Sequence, residues 1–449
     1  MKATMDDIEL VEKIVICPDE SKPNKRMFLS NIDLTLLAYQ DSASFFDPPS
    51  SQMSFSEICN KLYGALRQMI NVHYDFMAGR LVPSSEGDDR FEIDCNGAGI
   101  FVATAKTDKK LSEFGEMSVT NAKLKKLVGF LYEEDDEEID LKDRPLTSLQ
   151  LTQFGCGSLA LASHYNHCTL DGVAISDFEK NLAALTRGAD FTVIPNSDRT
   201  FLKARSPLKI NHPHYEYSKT TNNNHVFTSR STSGIKIITK PRSMAENRVH
   251  VLHLSPQQVS IFKKKISNTS KKISSFQVVA VRVWRARSIA MKMPEEEIST
   301  MLFPVEVRKW IVAEVKEKGV FAGNALVPGF ARATVKELKE EEEDYLIRKV
   351  QEGIERIDEE YVRSGIDWLE ENRGVPCSEN SFSLVAWWKL GLEDQEFAWG
   401  RVKCATPLEL KPGLVMMLPG TEGEGGGLNI CLDLPEDQLQ EFCRIMLQE

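Results

Sequence analysis

The sequence predicts an α/β protein built from two domains, and three observations support this. The chain has 449 residues, more than one hydrophobic core ordinarily organises, which favours two domains of roughly 200 residues each. Segments with the apolar patterns of strands and helices alternate through both halves. Apolar periodicity fades between Ser206 and Asn247, where Asn, Ser and Thr accumulate as in an exposed connection. We therefore predict domains at 1–205 and 248–449, joined by a connection at 206–247.

In the first half, apolar residues recur at helical spacing from Met53 to Met69, behind Ser54, a residue type that caps helices. The stretch 147–166 is typical of two strands that meet around Gly155–Gly157. A helix that ends near Gly188 is expected after the polar segment that follows these strands. The first half thus predicts alternating strands and helices.

The second half shows the same alternation. We predict a strand at 249–254, a helix capped by Ser255, a buried helix at 274–291 and a strand at 381–388. A single charged helix is expected from about Thr334 to Leu369. Near the end, a glycine-rich turn precedes the strand 428–434, and a helix starts at Pro435.

Composition excludes several classes of protein. The formal net charge is −11, from 66 acidic and 55 basic residues, whereas nucleic-acid binding requires a clustered basic surface. The first residues lack the basic and apolar regions of a secretory signal, and no run of about 18 apolar residues predicts a membrane span. Nine cysteines without a C-x-x-C pair fit a reducing compartment. We expect a cytoplasmic monomer without a nucleic-acid partner.

The densest group of polar side chains runs from His164 through His167 and Asp171 to Gly172. The spacing does not match a helical metal site, and Cys168 would point away from His167 if both lay on one strand. Two hydrogen-bonded core histidines would also satisfy the pattern. However, His167 ends an apolar strand and precedes an Asp-Gly turn, where a loop side chain can face a cleft. An imidazole there can accept a proton near neutral pH, and Asp171 can brace the loop.

Several blocks of this sequence, in the same order, resemble the plant BAHD acyl-CoA-dependent acyltransferases. The segment from His167 to Gly172 matches H-x-x-x-D-G, and Glu396 to Gly400 lies where D-F-G-W-G belongs. The remaining matching blocks are YDFMAGRL (74–81), PNSDRTFLKARSP (195–207), SSFQVVAVRVWRAR (274–287) and FAGNA (321–325). The similarity runs nearly end to end.

The resemblance implies a chloramphenicol-acetyltransferase-like fold of two related α/β domains, with mixed sheets flanked by helices and an active-site channel at their interface. It implies acyl-CoA as a co-substrate, a small alcohol or amine as acceptor, and no permanent cofactor or metal. His167 would be the general base. Asp171 would pair with an arginine, for which Arg308 is the candidate. Ser274 and Ser275 are expected to contact the acyl-CoA.

The block from Glu396 to Gly400 departs most from the family pattern. Glu396 is expected at the catalytic site beside Trp399, whose indole N–H is either an oxyanion donor or part of a structural aromatic. Gly172, Phe397 and Gly400 are expected to be structural. Ala398 replaces a glycine, which would be costly at positive φ.

Two functions follow from the resemblance. The first is transfer of a hydroxycinnamoyl or related group in plant specialised metabolism. The block spacing and the segment NHCTLDG (166–172) are most similar to members with aliphatic alcohol or amine acceptors, so such an acceptor is expected. Val385 and Ala386 lack the hydroxyls that would bind a polar acceptor such as shikimate. The alternative is a non-catalytic accessory role in very-long-chain lipid metabolism.

Overall fold

Two large mixed sheets and the helices packed beside them make up the protein, seen here in a computed structural model. The structure describes residues 4–5, 7–20, 25–50, 53–84, 90–120, 122–131, 140–219, 229–231, 234–236, 249–266, 272–311, 319–376, 380–421 and 425–448. Much of the predicted connection 206–247 lies outside the described residues.

The first large sheet has seven strands, and only its third and fourth are parallel to each other. In spatial order the strands are Thr4–Met5, Ile8–Ile16, Ile100–Lys106, Thr147–Gln153, Leu159–Asn166, Tyr39–Phe46 and Cys404–Pro407. The last strand comes from the second half of the sequence and pairs antiparallel with Tyr39–Phe46. The second half therefore completes the edge of the first sheet.

The second large sheet has six strands. Its fourth strand is parallel to both neighbours, and the other pairs are antiparallel. In spatial order the strands are Val249–Leu254, Leu428–Asp433, Leu414–Pro419, Ser381–Ala386, Ile298–Glu306 and Leu326–Thr334. All six belong to the predicted second domain.

Small sheets and helices complete the described fold. A three-stranded sheet joins Arg26–Phe28, Phe91–Asp94 and Arg80–Pro83, and the strand pairs are Pro195–Asn196 with Val320–Phe321, Tyr217–Ser218 with Val375–Pro376, Ser229–Ser231 with Gly234–Lys236, and Glu396–Phe397 with Gly400–Arg401. The α-helices are Asn31–Leu34, Phe55–Val72, Gly172–Thr186, Pro256–Lys265, Ser275–Ala290, Arg308–Ile311, Val335–Glu340, Glu343–Glu355, Glu359–Asn372 and Glu436–Met446. The 3₁₀ helices are Asp75–Ala78, Leu111–Phe114, Ala122–Leu131, Leu141–Asp143, Thr200–Leu202 and Leu392–Asp394.

Most of the predicted elements are confirmed, and their ends coincide with capping side chains. Ser54, Ser255 and Ser274 each accept a hydrogen bond from the backbone N–H three residues on, at the start of a helix. Such caps satisfy N–H groups that the first helical turn leaves unpaired. The strand pair around Gly155–Gly157 and the helix that follows are also present.

The single charged helix predicted from Thr334 to Leu369 is wrong, because three shorter helices occupy this stretch. The backbone is extended at Glu341 and Glu342, where the first helix ends and the second begins. At Asp358 it is extended again, and the Asp358 carboxylate caps the third helix by accepting from Tyr361 N. Strong helix formers surround both breaks, so the apolar periodicity does not reveal them.

Separate hydrophobic cores support the two halves. The core of the second sheet uses residues from 254 to 446. The core of the first sheet includes Phe397, Trp399 and Val402 in addition to residues from the first half. The first core is therefore complete only when the segment 397–405 of the second half is in place. None of the described helices has the length and hydropathy that a membrane crossing requires.

Candidate active site

The loop from His167 to Asp171, called the His loop below, lies between strand Leu159–Asn166 and helix Gly172–Thr186. Its first residue is held from two sides. His167 N donates to Ala38 O at 2.8 Å, and Asn324 Nδ2 donates to His167 O at 2.9 Å. One contact comes from each half of the chain, so the His loop lies where the two halves meet.

Asp171 fixes the other end of the His loop and is fully buried. Its Oδ1 accepts from Ala174 N at 2.9 Å, which caps the helix, and from Arg308 Nη2 at 2.8 Å. Its Oδ2 accepts from Ala325 N at 2.8 Å. The predicted pairing of Asp171 with Arg308 is present, and these bonds use both carboxylate oxygens to join the His loop to the second half.

A second buried ion pair supports the same loop and was not predicted. Arg199 Nε lies 3.3 Å from Asp33 Oδ2, with both side chains fully buried. Arg199 Nη2 donates to Thr169 O within the His loop, and Asp33 Oδ1 accepts from Asn324 Nδ2 at 2.8 Å. The match of 195–207 to a family block singled out the segment of Arg199, but no sequence signal connected it to Asp33.

The electrostatic environment of His167 favours the neutral imidazole. Burial lowers its pKa below the ordinary value, while the negative charge of Asp171 opposes that shift and the positive charge of Lys411 adds to it. Among the described residues, Nδ1 has no hydrogen-bond partner. The residue itself remains partly exposed. A partly accessible imidazole with a lowered pKa is able to accept a proton at neutral pH.

The hairpin Glu396–Arg401 lies away from this loop, which disagrees with the catalytic positions predicted for Glu396 and Trp399. Ala398 N donates to Thr186 Oγ1 at 3.1 Å, and Thr186 is the last residue of the helix that Asp171 caps. At 1.5 Å per residue the two ends of this helix are roughly 20 Å apart.

The side chains of the hairpin fit a structural role. Trp399 is 1% exposed and stacks on Phe397 with ring centroids 4.9 Å apart, whereas Glu396 is exposed to solvent. Gly400 has φ +142°, a value that favours glycine. Ala398 is not among the described residues with positive φ, so its methyl group causes no backbone strain.

The serines expected near acyl-CoA lie at the start of helix Ser275–Ala290. Ser274 Oγ accepts from Gln277 N, and Ser274 N donates to Gln277 Oε1 at 2.8 Å. Both serines are partly exposed. The N-terminus of a long helix favours negative charge, but the contacts of Ser274 are those of a helix cap. Contact of Ser274 and Ser275 with acyl-CoA therefore stays a prediction.

Comparison with known proteins now identifies the family. A family model described as the Transferase family matches residues 6–447. The acyltransferase GLAUCE of Arabidopsis thaliana is 32% identical over 97% of this chain and 94% of its own length. A hydroxycinnamoyltransferase of Narcissus pseudonarcissus is 30% identical over 98% and 99%. The chain belongs to the BAHD acyltransferases. This acyltransferase thus matches its relatives over nearly their whole length.

Solved structures confirm the fold of this BAHD acyltransferase. Vinorine synthase superposes with a TM-score of 0.70 at 19% identity, covering 97% of this chain and 96% of that one. TRI101 of F. graminearum, solved with coenzyme A and deoxynivalenol, also gives 0.70, at 16% identity over 93% and 96%. The predicted two-domain α/β fold is therefore confirmed.

Proposed function

We propose that this acyltransferase transfers an acyl group from a coenzyme A thioester to an alcohol or amine, with His167 as the general base. The observation that carries the proposal is the position of His167. It is partly exposed, its backbone is held by both halves of the chain, and its pKa is lowered by burial. A base with a pKa near or below the working pH is unprotonated when the acceptor arrives.

The reaction follows from this arrangement. Because Nδ1 is buried, Nε2 is the ring nitrogen assigned to the substrate. Nε2 takes the acceptor proton as the oxygen or nitrogen attacks the thioester carbonyl carbon. The C–S bond then breaks, and the proton passes from His167 to the departing thiolate, which gives an ester or amide and free coenzyme A. No covalent bond to the enzyme forms.

Asp171 and Arg308 are positioning residues in this proposal. Asp171 accepts bonds from Ala174 N, Arg308 Nη2 and Ala325 N, so its carboxylate is occupied by the protein. These bonds hold the His loop at the junction of the halves. Ser274 and Ser275 are proposed to lie on the acyl-CoA side, at the positive end of their helix.

The substrate class is proposed from relatives that act on known compounds. A fatty alcohol:caffeoyl-CoA acyltransferase of Arabidopsis thaliana is 26% identical over 98% of this chain. An anthranilate N-benzoyltransferase of Dianthus caryophyllus is also 26% identical, over 97%. They support a hydroxycinnamoyl or related donor and an aliphatic alcohol or amine acceptor. A cytoplasmic, monomeric enzyme with domains at 1–205 and 248–449 remains our prediction.

A panel of acyl-CoA donors and of alcohol and amine acceptors tests the proposal, with release of free coenzyme A thiol as the readout. Turnover of at least one pair is expected. His167→Ala should lower it by roughly 10²–10⁴, as for a positioned general base, without changing the melting temperature by more than a few degrees. A His167→Ala variant with the wild-type rate would remove His167 from the mechanism. A folded parent protein without transfer to any acceptor would favour the accessory role.

A further inference from the structure

A cavity of about 130 Å³ lies beside the segment that connects strand Ser381–Ala386 to the hairpin Glu396–Arg401. Ala405, on strand Cys404–Pro407 of the first sheet, and Pro419, at the end of strand Leu414–Pro419 of the second, line two of its sides. The other walls combine two indole rings with two carboxylates, from Trp387, Trp388, Glu393 and Asp394. None of these residues belongs to the His loop.

The walls of this cavity are held by backbone hydrogen bonds. The N–H groups of Trp387 and Trp388 both donate to Met417 O, at 2.9 and 3.2 Å. Asp394 N donates to Gly391 O at 3.2 Å, which closes the turn that carries Glu393. A preformed concave site with aromatic walls and a few polar groups is typical of ligand pockets.

The cavity has an exposed rim and a buried floor. The Asp394 side chain is 76% exposed, whereas Leu392 and Ala405 are only 9% and 7% exposed. An engineered apolar cavity of roughly 150 Å³ accommodates benzene. A group of the size of a trimethylammonium therefore fits here and can enter from solvent.

The charge of the cavity favours a cation. Glu393 is partly buried, and in the part of the chain that the structure describes no Lys or Arg nitrogen lies within 4.0 Å of its carboxylate. Asp394, in contrast, pairs with Arg401 at 3.0 Å. Burial raises the pKa of the Glu393 carboxyl, and the N–H of Ala405 opposes that shift. Because withdrawing a carboxylate from water without a partner is costly, a positively charged occupant is favoured.

The two indoles add a preference for an organic cation. The face of tryptophan attracts ammonium groups more strongly than other rings do. Lys389 Nζ already lies 5.6 Å from the centroid of the Trp388 ring, so a face of this ring is accessible to an ammonium. The buried Nε1 of Trp388 has no hydrogen-bond partner among the described residues. Because buried N–H groups ordinarily have an acceptor, an occupant with an oxygen near its cation matches the site.

We propose that this cavity binds an organic ammonium group, such as that of choline, an amino alcohol or an aliphatic amine. The indole rings stack on the cation and the Glu393 carboxylate neutralises it. A metal ion fits less well, because the described residues form no group of three or more His, Cys, Asp or Glu side chains that could hold one. The site is independent of the function proposed for His167.

A titration with choline tests the proposal on the whole protein labelled with 5-fluorotryptophan. Of the six tryptophan signals, the one that disappears in Trp388→Phe is assigned to Trp388. Choline should shift this signal saturably, with a Kd of roughly 1 mM or below. The uncharged isostere 3,3-dimethyl-1-butanol should bind roughly tenfold or more weakly. Trp399, buried in the core of the first sheet, is the internal control.

Variants of the carboxylates locate the charge that binds choline. Glu393→Gln should raise the Kd by roughly tenfold or more. Glu396→Gln, the same change at an exposed position on the neighbouring hairpin, should leave the Kd within about twofold of the wild-type value. Lys389→Gln removes the cation that competes for the Trp388 ring, so the Kd should not rise.

Three outcomes overturn the proposal. They are the absence of a saturable shift, equal Kd values for choline and its isostere, and an unchanged Kd in Glu393→Gln at an unchanged melting temperature. If Glu393→Gln does not fold, the comparison of choline with its isostere on the wild-type protein decides.

The transfer assay distinguishes two sources of the ammonium group. If the ligand is an amine acceptor, Glu393→Gln should raise KM for amine acceptors and leave KM for alcohol acceptors unchanged. If the ligand is not acylated, both KM values should match those of the wild type. The choline titration requires no turnover, so its result is valid even if the protein transfers no acyl group.

Discussion

Arg308 contacts two carboxylates in very different surroundings, which allows the brace of the His loop to be tested by comparison. Asp171 is fully buried and lies 2.8 Å from Arg308 Nη2. Glu306 is exposed and lies 3.4 Å from Nη1. Asp171→Ala should cost about 3–5 kcal/mol of unfolding free energy, because it leaves a largely buried Arg308 without its buried carboxylate partner. Glu306→Gln should cost less than about 1 kcal/mol.

Denaturant unfolding monitored by circular dichroism measures both variants, with activity assayed on the same samples. Asp171→Ala is expected to lose activity and stability together. If its activity falls while its unfolding free energy matches that of Glu306→Gln, Asp171 takes part in the chemistry directly.

Glu179, on helix Gly172–Thr186, predicts a pH dependence of stability. Burial raises its pKa from 4.5 to about 7, and its Oε2 has no hydrogen-bond partner among the described residues. Because the pKa of Glu179 is higher in the folded state, folding favours its protonated form. The stability that this protonated carboxyl contributes is complete below pH 4.5 and is lost as the pH rises toward 7.

Glu179→Gln should therefore be more stable than the wild type at pH 8, by at most about 3 kcal/mol, and nearly equal to it at pH 4.5. Melting temperatures of both proteins across this range test the prediction. Glu340→Gln, an exposed change on another helix, is the control. A constant difference between Glu179→Gln and the wild type at all pH values would contradict it.

For single residues, the sequence identifies the members of a motif but not their distant partners. His167, Asp171 and Gly172 form a contiguous pattern, and Arg308 was found as a candidate through the resemblance. Asp33 stands in a segment without a distinctive polar pattern, and Asn324 lies in the matched block 321–325, which does not indicate the partners of that side chain. Their roles depend on contacts across more than a hundred residues of sequence, such as Asn324 with Asp33, which local spacing cannot encode.

The hairpin Glu396–Arg401 is the element for which sequence and structure differ most. Its resemblance to a family block suggested a catalytic position, but residues 390 and 398 contact helix Gly172–Thr186 at its opposite ends. Leu390 O accepts from Ser176 Oγ near the start, and Ala398 N donates to Thr186 Oγ1 at the end. The segment thus runs along the helix and carries the hairpin away from His167.

Trp399→Phe tests the structural role of this hairpin. The change keeps an aromatic ring in the stack with Phe397 but removes part of its volume. The indole Nε1 has no hydrogen-bond partner among the described residues. Removing the indole N–H therefore breaks no hydrogen bond to those residues. We expect a loss of about 1–2 kcal/mol from imperfect packing and nearly unchanged kcat and KM.

Steady-state kinetics and thermal unfolding of Trp399→Phe separate the two roles, with Ala398→Gly as a companion that should be tolerated. A decrease in kcat of roughly 10²–10³ at unchanged KM would instead identify Trp399 as an oxyanion donor.

For the whole molecule, the sequence predicts two α/β domains but not that a strand of the second half joins the sheet of the first. The segment Cys404–Pro407 is as apolar as many strands, and its partner Tyr39–Phe46 lies more than 350 residues earlier. Strand propensity says nothing about which sheet a strand joins. Polar contacts between the halves, such as Arg90 Nη1 to Glu370 Oε2 at 2.6 Å, are equally non-local.

Because the second half contributes a strand and core residues to the first half, we predict that the first half cannot fold alone. A fragment of residues 1–219 would expose the edge of strand Tyr39–Phe46 and would lack Phe397, Trp399 and Val402 from its core. Exposed strand edges and incomplete cores promote aggregation. The fragment should therefore be insoluble when produced alone, and soluble when co-produced with residues 249–449.

Co-elution on an affinity tag carried by one fragment, followed by thermal unfolding monitored by circular dichroism, measures the association. Phe397→Asp in the second fragment should abolish co-elution, because it introduces a charge where a 2%-exposed ring packs against the first core. Phe382 packs in the core of the second sheet, so Phe382→Asp is the control for unfolding of the second fragment. Far-UV spectra of each fragment alone then distinguish loss of the interface from unfolding of the second fragment. A soluble 1–219 fragment with a cooperative unfolding transition would show that strand Cys404–Pro407 is dispensable for folding of the first half.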